Sequence, residues 1–486
     1  MKKTIFIFYI FISIFSFAQK QGNIWYFGDH AGLDFNSGSP IALTNGEIYD
    51  GSDQSEGTSV ISDSSGALLF YTNGQKIWNR NHIIMPNGDS LLGNYSSTQA
   101  ALIIPQPGSS RYFYVFTTDA FQHNLENGFR YSIVDICLDN GLGDVIQNKK
   151  NIKLLDTVAE KLTAVRCNNG IDYWVIVHKY LSDAFYAFQL GSNGIIDTVV
   201  THIGSIHQGY CGNPSSSINA MGSMKASPNG SKLAIVSAQQ CNNISELFDF
   251  NKTTGVLSNL IKLRTDSVAI GLYGVSFSPN NSKLYITSWI NHDRIYQYDL
   301  TSGNSTTITN SKSVITFHNG GPWYMAMQLG SDGKLYIAER GQSYMGVINF
   351  PDLNGVSCNY QDSAVSLNGK TNVLGLPNFI DLFDYSNTTY GCLTGIEEQL
   401  LSKNFTLLNQ NVPNPFTEQT TIFFNEEAKN TTLKITDVLG KEIKSVAIPN
   451  GTKEFVFKRE NLANGVYFYT IISENKNVAS GKLVIQ

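Results

Sequence analysis

Short runs of alternating hydrophobic and polar residues, broken by polar turns, fill most of the chain. Three segments are near copies: Ala226–Ile235, Phe277–Ile286 and Leu329–Ile337. Each holds the end of one apolar strand, a Ser/Asn/Asp/Gly turn, and a second strand rich in aromatic and β-branched residues. Their anchor residues Leu233, Leu284 and Leu335 are spaced by 51 and 51 residues. Weaker copies centre on Leu68, Tyr112 and Tyr173, and a third strand follows several pairs, as at Glu246–Phe250 and Arg294–Tyr298. Four-stranded units recurring every 44–61 residues are the pattern of β-propeller blades. Six blades are directly visible. The short runs Ile24–Phe27 and Leu33–Phe35 lack an inner strand, and Pro377–Phe383 lacks outer ones. Joining the two ends completes a seventh blade and leaves no open sheet edge. Residues 19–385 are therefore expected to form one closed seven-bladed propeller.

The pattern changes near residues 386–403, a Ser/Asn/Thr/Gly stretch that reads as a linker. Beyond it, residues 404–486 hold seven short strand candidates: 405–410, 421–425, 431–438, 442–448, 454–459, 465–474 and 477–485. Leu439-Gly440-Lys441 reads as a tight hairpin. Seven strands in so short a tail predict a small immunoglobulin-like β-sandwich, so the whole chain is all-β.

Composition adds the destination. Only 15% of the 486 residues are charged, the net charge is −5, and basic runs are lacking, which argues against nucleic acid as a partner. Lys2 and Lys3 precede an apolar run from Thr4 to Phe17, followed by small residues up to Ala18. That is a secretory signal peptide over residues 1–18, cut between Ala18 and Gln19. The run is too short for a membrane-spanning helix, which needs about 20 residues. No later segment is long enough, so no transmembrane segment is expected.

Two resemblances follow from particular residues. Gln410–Phe416, Leu433–Lys441, Leu462–Tyr469 and the terminal Gly481–Val484 together resemble the type A C-terminal sorting domain of the type IX secretion system. This implies export across the inner and outer membranes of a Bacteroidota cell, with the secretion machinery as partner and the tail removed on release or anchoring. Asn23–Gly28, Trp78–His82, Ser97–Gln99, Asp172–Trp174 and Gly375–Ile380 resemble a recurrent group of uncharacterised exported Bacteroidota propellers. That likeness implies the fold and no activity.

Catalytic signatures do not occur. There is no His-Glu-x-x-His, no Gly-x-Ser-x-Gly and no phosphate loop. His178 and His207 read as satisfied strand or loop residues. The loop carrying Asp50, Asp53 and Glu56 offers the oxygen ligands calcium takes, without the spacing of a recognised calcium loop. Counting twelve residues back from the second-strand anchors places Glu56, Lys161 and Trp323 at the start of blades, and Gln99 joins them by inspection because its turn is longer; these entries ring one mouth of the channel. A charged, amide and aromatic ring there suits a polar ligand such as a glycan or a protein segment. Ordinary packing along the channel is the competing reading.

Six cysteines in an exported chain favour disulfides, with 15 pairings open. Blade topology brings Cys211 to Cys241 on one rim and Cys137 to Cys167 on the other. Cys358 and Cys392 then pair by elimination. The leading functional expectation is a non-catalytic, secreted or cell-surface binding protein. The alternatives are an extracellular propeller enzyme of lactonase or lyase type, and a structural part of a surface or motility assembly.

Overall fold

The computed structural model describes residues 20–49, 51, 54–209, 218–237, 244–263, 270–290, 293–318, 320–381, 390–392, 411–423, 428–473 and 476–486. The proposed signal peptide, its cleavage site and the 405–410 strand lie outside these residues. Two compact units are present, Met1–Cys392 and Leu393–Gln486. Among the described residues, no helix is long and apolar enough to cross a membrane.

The repeated turn acts through one side chain. Asn229 Oδ1 accepts the Ser231 amide at 2.9 Å, and Asn280 Oδ1 accepts the Ser282 amide at the same distance. Gly230, Asn281 and Gly333 occupy matching places with φ of +72°, +66° and +78°. Glycine and asparagine enter that left-handed region most readily, which is why the turn recurs with these residues. The turn fixes the register that follows: Ala226 faces Leu233, Phe277 faces Leu284, and Leu329 faces Leu335. Leu68, Tyr112 and Tyr173 likewise begin second strands, Leu68–Thr72, Tyr112–Thr118 and Tyr173–Lys179.

The first unit is an all-β propeller, and its described residues build seven antiparallel sheets in chain order. The first holds Ile24–Phe27, Ala31–Asp34 and Ile41–Leu43, and the second holds Ser59–Ser62, Leu68–Thr72 and Ile77–Asn79. The third is built on Ala101–Pro105, Tyr112–Thr118 and Phe129–Asp135, with two short strands on its outer edge. The fourth to seventh have four strands each, beginning at Val158, Met224, Ile270 and Tyr324. Side chains on both faces are buried between neighbouring sheets, as in Tyr324–Leu329 and Leu335–Glu339, where every residue is buried. The last sheet returns to the first. Trp25 packs edge-on to Tyr336 at 5.5 Å between ring centroids, and Phe35 meets the same ring at 5.2 Å.

The chain ends meet differently from expectation. The segment after the seventh sheet packs against the first, but among the described residues it forms no continuous strand. It is held by isolated bridges, Asp29 to Thr371 and Thr58 to Pro377, and by Asn378, whose amide donates to Thr58 O at 2.8 Å. Two side-chain contacts reinforce the closure. Phe379 packs against Trp25 at 6.0 Å, and Asn378 Nδ2 donates to Leu162 O at 2.8 Å. The segment bonds to both neighbouring sheets instead of completing one, as a buried length of backbone must bond wherever partners are available.

The disulfide assignment is corrected as well. Cys137 is bonded to Cys392, 255 residues away, and neither to Cys167 nor by elimination to any other thiol. Cys167 and Cys358 are free and buried, so the Cys137–Cys167 and Cys358–Cys392 pairings are both wrong. Packing explains the outcome. Cys167 sits in the apolar cluster of Trp174 and Phe250 between the fourth and fifth sheets, and Cys358 packs beside Tyr285. Cys392 arrives at the third sheet because Tyr390 packs at a tilt against Phe113, 5.0 Å between ring centroids, and Gly391 donates to Ser110 O. Cys211 and Cys241 lie outside the described residues.

The second unit is a small β-sandwich. Gln419–Phe423 pairs with Glu454–Lys458, and Thr431–Thr436 lies between Glu442–Ile448 and Gly465–Ser473, which also pairs with Lys476–Ile485. Leu433, Ile435, Phe457, Tyr469 and Ile471 fill its core. The Leu439 turn closes as expected, with Asp437 Oδ1 accepting the amides of Leu439 and Lys441.

Candidate functional site

First strands of the propeller sheets surround a common centre, and polar side chains bond across it between sheets far apart in the chain. Glu56 accepts a hydrogen bond from Tyr273 Oη at 2.5 Å. Gln99 Oε1 accepts the amides of Leu162 and Met224, and its Nε2 donates to Met224 O. Lys161 Nζ donates to the carbonyls of Ala220 and Met221, both at 2.6 Å. Lys225 Nζ donates to Gln328 Oε1 and Asp381 Oδ1. All these donors and acceptors are buried. Burial, followed by the neighbouring Glu160 charge, holds the Glu56 carboxyl well above the usual carboxylate range. Burial likewise lifts the Tyr273 phenol. Buried polar side chains bonded across the centre in this way help to specify a single fold. Glu56, Gln99 and Lys161, expected around the mouth, are therefore interior cross-braces.

Trp323 is placed otherwise. It is 37% exposed and lines an open cavity of about 860 Å³ on the same unit. The cavity takes its walls from three places: Asp29 and Tyr49 near the first sheet, the Gly320–Trp323 turn with Arg340–Gln342 at the seventh, and the Thr371–Val373 strap. The strap ties the others together. Asn372 accepts the Gly341 amide and donates its own to Gln342 O, both at 2.9 Å, while Thr371 O accepts the Asp29 amide. Gly28 permits this approach, since a Cβ there would lie 2.3 Å from Thr371 O.

The cavity's surfaces are aromatic and polar together. The Arg340 guanidinium carbon lies 4.4 Å from the Trp323 ring centroid, and Trp289 packs 5.1 Å from the same ring. Tyr49 is 47% exposed. The carboxylate of Asp29, the amide of Gln342 and the Arg340 guanidinium line the cavity beside these rings. Sequence reasoning found Trp323 through its place before a repeated strand. It missed the other lining residues, which sit in loops without a repeat signature.

For calcium, Asp50 and Asp53 lie outside the described residues, and Glu56 is turned inward onto Tyr273. Among the described residues, no group of three or more His, Cys, Asp or Glu side chains is arranged to hold a metal ion. His178 and His207 depart from the expected satisfied state. Their rings stack 3.9 Å apart, fully buried, and among the described residues none of the four ring nitrogens has a hydrogen-bond partner. Burial depresses both imidazoles, that of His178 to about 3.

Comparisons with known proteins bear on the two units separately. Among solved structures, a candidate 6-phosphogluconolactonase from Bacteroides uniformis is similar at 12% identity, covering 71% of this chain and 98% of that one with a TM-score of 0.44. Another from Bacteroides fragilis is similar at 10% identity, covering 73% and 97%, with a TM-score of 0.46. The Cps50 (Swd1) β-propeller domain of Myceliophteria thermophila shares 13% identity over 66% and 94%, with a TM-score of 0.37. No curated protein matches the chain. The family model of the secretion system C-terminal sorting domain matches residues 412–486. The tail is thus a sorting domain of that family, and the chain that carries it is built for export to the cell surface or the medium.

Proposed function

We propose that the propeller is a saccharide-binding module, carried out of the cell by the type IX system through a type A sorting tail. One observation carries the binding reading: an open cavity in which the partly exposed rings of Trp323 and Tyr49 stand among Asp29, Arg340, Gln342 and Asn372. Sugar rings present an apolar C–H face and a rim of hydroxyls. Flat aromatic surfaces suit the first, and amide, carboxylate and guanidinium groups suit the second. An exported protein meets such ligands as surface or environmental polysaccharides. The test is a glycan array probed with the full chain and with Trp323→Ala. Retention of a saccharide by the wild type and its loss in the variant support the reading, and an array silent for both overturns it.

A further inference from the structure

A second, smaller cavity of about 310 Å³ opens on the other rim of the propeller. Its walls include the ends of two first strands, Arg166 of Val158–Arg166 and Ala226 of Met224–Ala226. Trp323, by contrast, precedes the start of the first strand Tyr324–Leu329. First strands run the same way around a propeller, so the two cavities lie at opposite mouths. The closing segment reaches both, with Thr371–Val373 lining the first cavity and Phe379–Asp381 the second.

Two charged side chains of this second cavity have bonding capacity that the described residues do not use. The Asp381 side chain is fully buried. Its Oδ1 accepts from Gln328 Nε2 at 2.7 Å and from Lys225 Nζ at 3.1 Å. Its Oδ2 is equally buried and accepts from no described residue. A carboxylate oxygen cut off from bulk water and without a donor is a strong acceptor for an N–H or O–H group brought beside it. Lys252 is the second. Trp174 Nε1 and the Asn168 amide both donate to its carbonyl, at 3.0 and 3.1 Å, which fixes its backbone between the fourth and fifth sheets. Its side chain runs past Gly230, where an added Cβ would lie 2.9 Å from Lys252 Cδ and 2.6 Å from Val165 Cγ1. Lys252 is half-buried, and its ammonium makes no hydrogen bond or ion pair among the described residues. Arg166 also lines the cavity, but its guanidinium donates to Gly170 O. Val165, Phe379 and Ile380 add apolar wall.

We propose that this cavity binds a free α-amino acid. The ligand's ammonium donates to Asp381 Oδ2, its carboxylate accepts from the Lys252 ammonium, and an apolar side chain rests against Phe379 and Ile380. Charge-assisted hydrogen bonds of both signs favour a zwitterion over a singly charged molecule of the same size, because the latter leaves one protein charge unmatched. The volume lies near the lower bound for ligand cavities, about 300 Å³, as a molecule this small requires. The site is independent of the saccharide reading of the Trp323 cavity.

The experiment measures, by calorimetry and thermal melts, binding of L-leucine, N-acetyl-L-leucine and L-leucinamide to the full chain. L-leucine should bind and raise the melting temperature. The other two each lack one of its charges and should bind at least about tenfold more weakly. Lys252→Ala should weaken L-leucine by about tenfold and leave L-leucinamide unchanged, a split that a general loss of structure would not give. Asp381→Asn should remove the preference for L-leucine over N-acetyl-L-leucine. If that variant does not fold, the blocked ligands on the wild type and Lys252→Ala decide the matter. Trp323→Ala should bind L-leucine as the wild type does, which separates this cavity from the one at the opposite mouth. Failure of L-leucine to bind, equal binding of the blocked forms, or loss of L-leucine binding in Trp323→Ala overturns the proposal, and none of these results touches the glycan-array test.

Discussion

His178 and His207 show how a single buried pair sets the response of the whole propeller to acid. Both rings are neutral in the folded state because burial opposes their charging, with Lys161 nearby adding to the opposition. An unfolded histidine takes up a proton near pH 6.5, whereas His178 resists down to about 3. Below pH 6.5 the unfolded state therefore binds more protons, and stability falls as pH drops. The slope is at most about 1.4 kcal/mol per pH unit for each histidine, and it vanishes above pH 7.5. Denaturant unfolding at pH 7.5 and pH 5 should show this loss, and His178→Phe should reduce it. A variant with undiminished acid sensitivity would show that other groups carry the effect.

At the scale of elements, closure depends on the segment after the seventh sheet. Phe379 is buried against Trp25 and lies under Gly22, so Phe379→Ala should cost about 3 kcal/mol and loosen both chain ends of the propeller together. A loss under about 1 kcal/mol, read from denaturant midpoints, would mean the ring closes elsewhere. The Cys137–Cys392 bond fastens the same end to the third sheet. Non-reducing peptide mapping should recover that linkage, with Cys167 and Cys358 alkylated only after denaturation. Cys392→Ser should lower stability by about 2–4 kcal/mol, the usual contribution of a disulfide. Recovery of a Cys137–Cys167 peptide would contradict the structure.

These elements also show what the sequence made legible. The six second strands were readable because the turn before them repeats a physical device, a short polar side chain capping a left-handed turn: Asn or Asp in five, and Ser109 before Tyr112. The closing segment packs beside the first sheet, but its described residues form no strand, since their bonds go to Ser55, Thr58 and Leu162, partners set by the packed ring. Its disulfide was unreadable for the same reason: Cys392 is steered by the packing of Tyr390 against Phe113, a contact with no local signature. The site was half legible. Trp323 follows from blade position, whereas Asp29, Arg340 and Asn372 converge only after closure. Glu56, Gln99 and Lys161 showed the same positional mark, yet their side chains point into the ring, and position alone does not distinguish the two directions.

For the molecule as a whole, two units divide the labour: the sandwich directs export and the propeller carries the cavity. Removing residues 412–486 should leave the propeller folded, because its core clusters contain no residue of the tail. It should also abolish its appearance outside the producing cell, as read by fractionation and immunoblot. Equal amounts of full and truncated protein in the medium would remove the sorting role from the tail.

The central claim, that the Trp323 cavity seats a saccharide, is tested most directly by the affinity of the full chain for its best glycan-array ligand, measured by calorimetry for wild type and Trp323→Ala. Loss of an aromatic stacking surface predicts at least a tenfold weaker Kd, about 1.4 kcal/mol, with an unchanged melting temperature. An unchanged Kd in a folded Trp323→Ala protein would contradict the account, for the ligand would then be held somewhere other than this cavity.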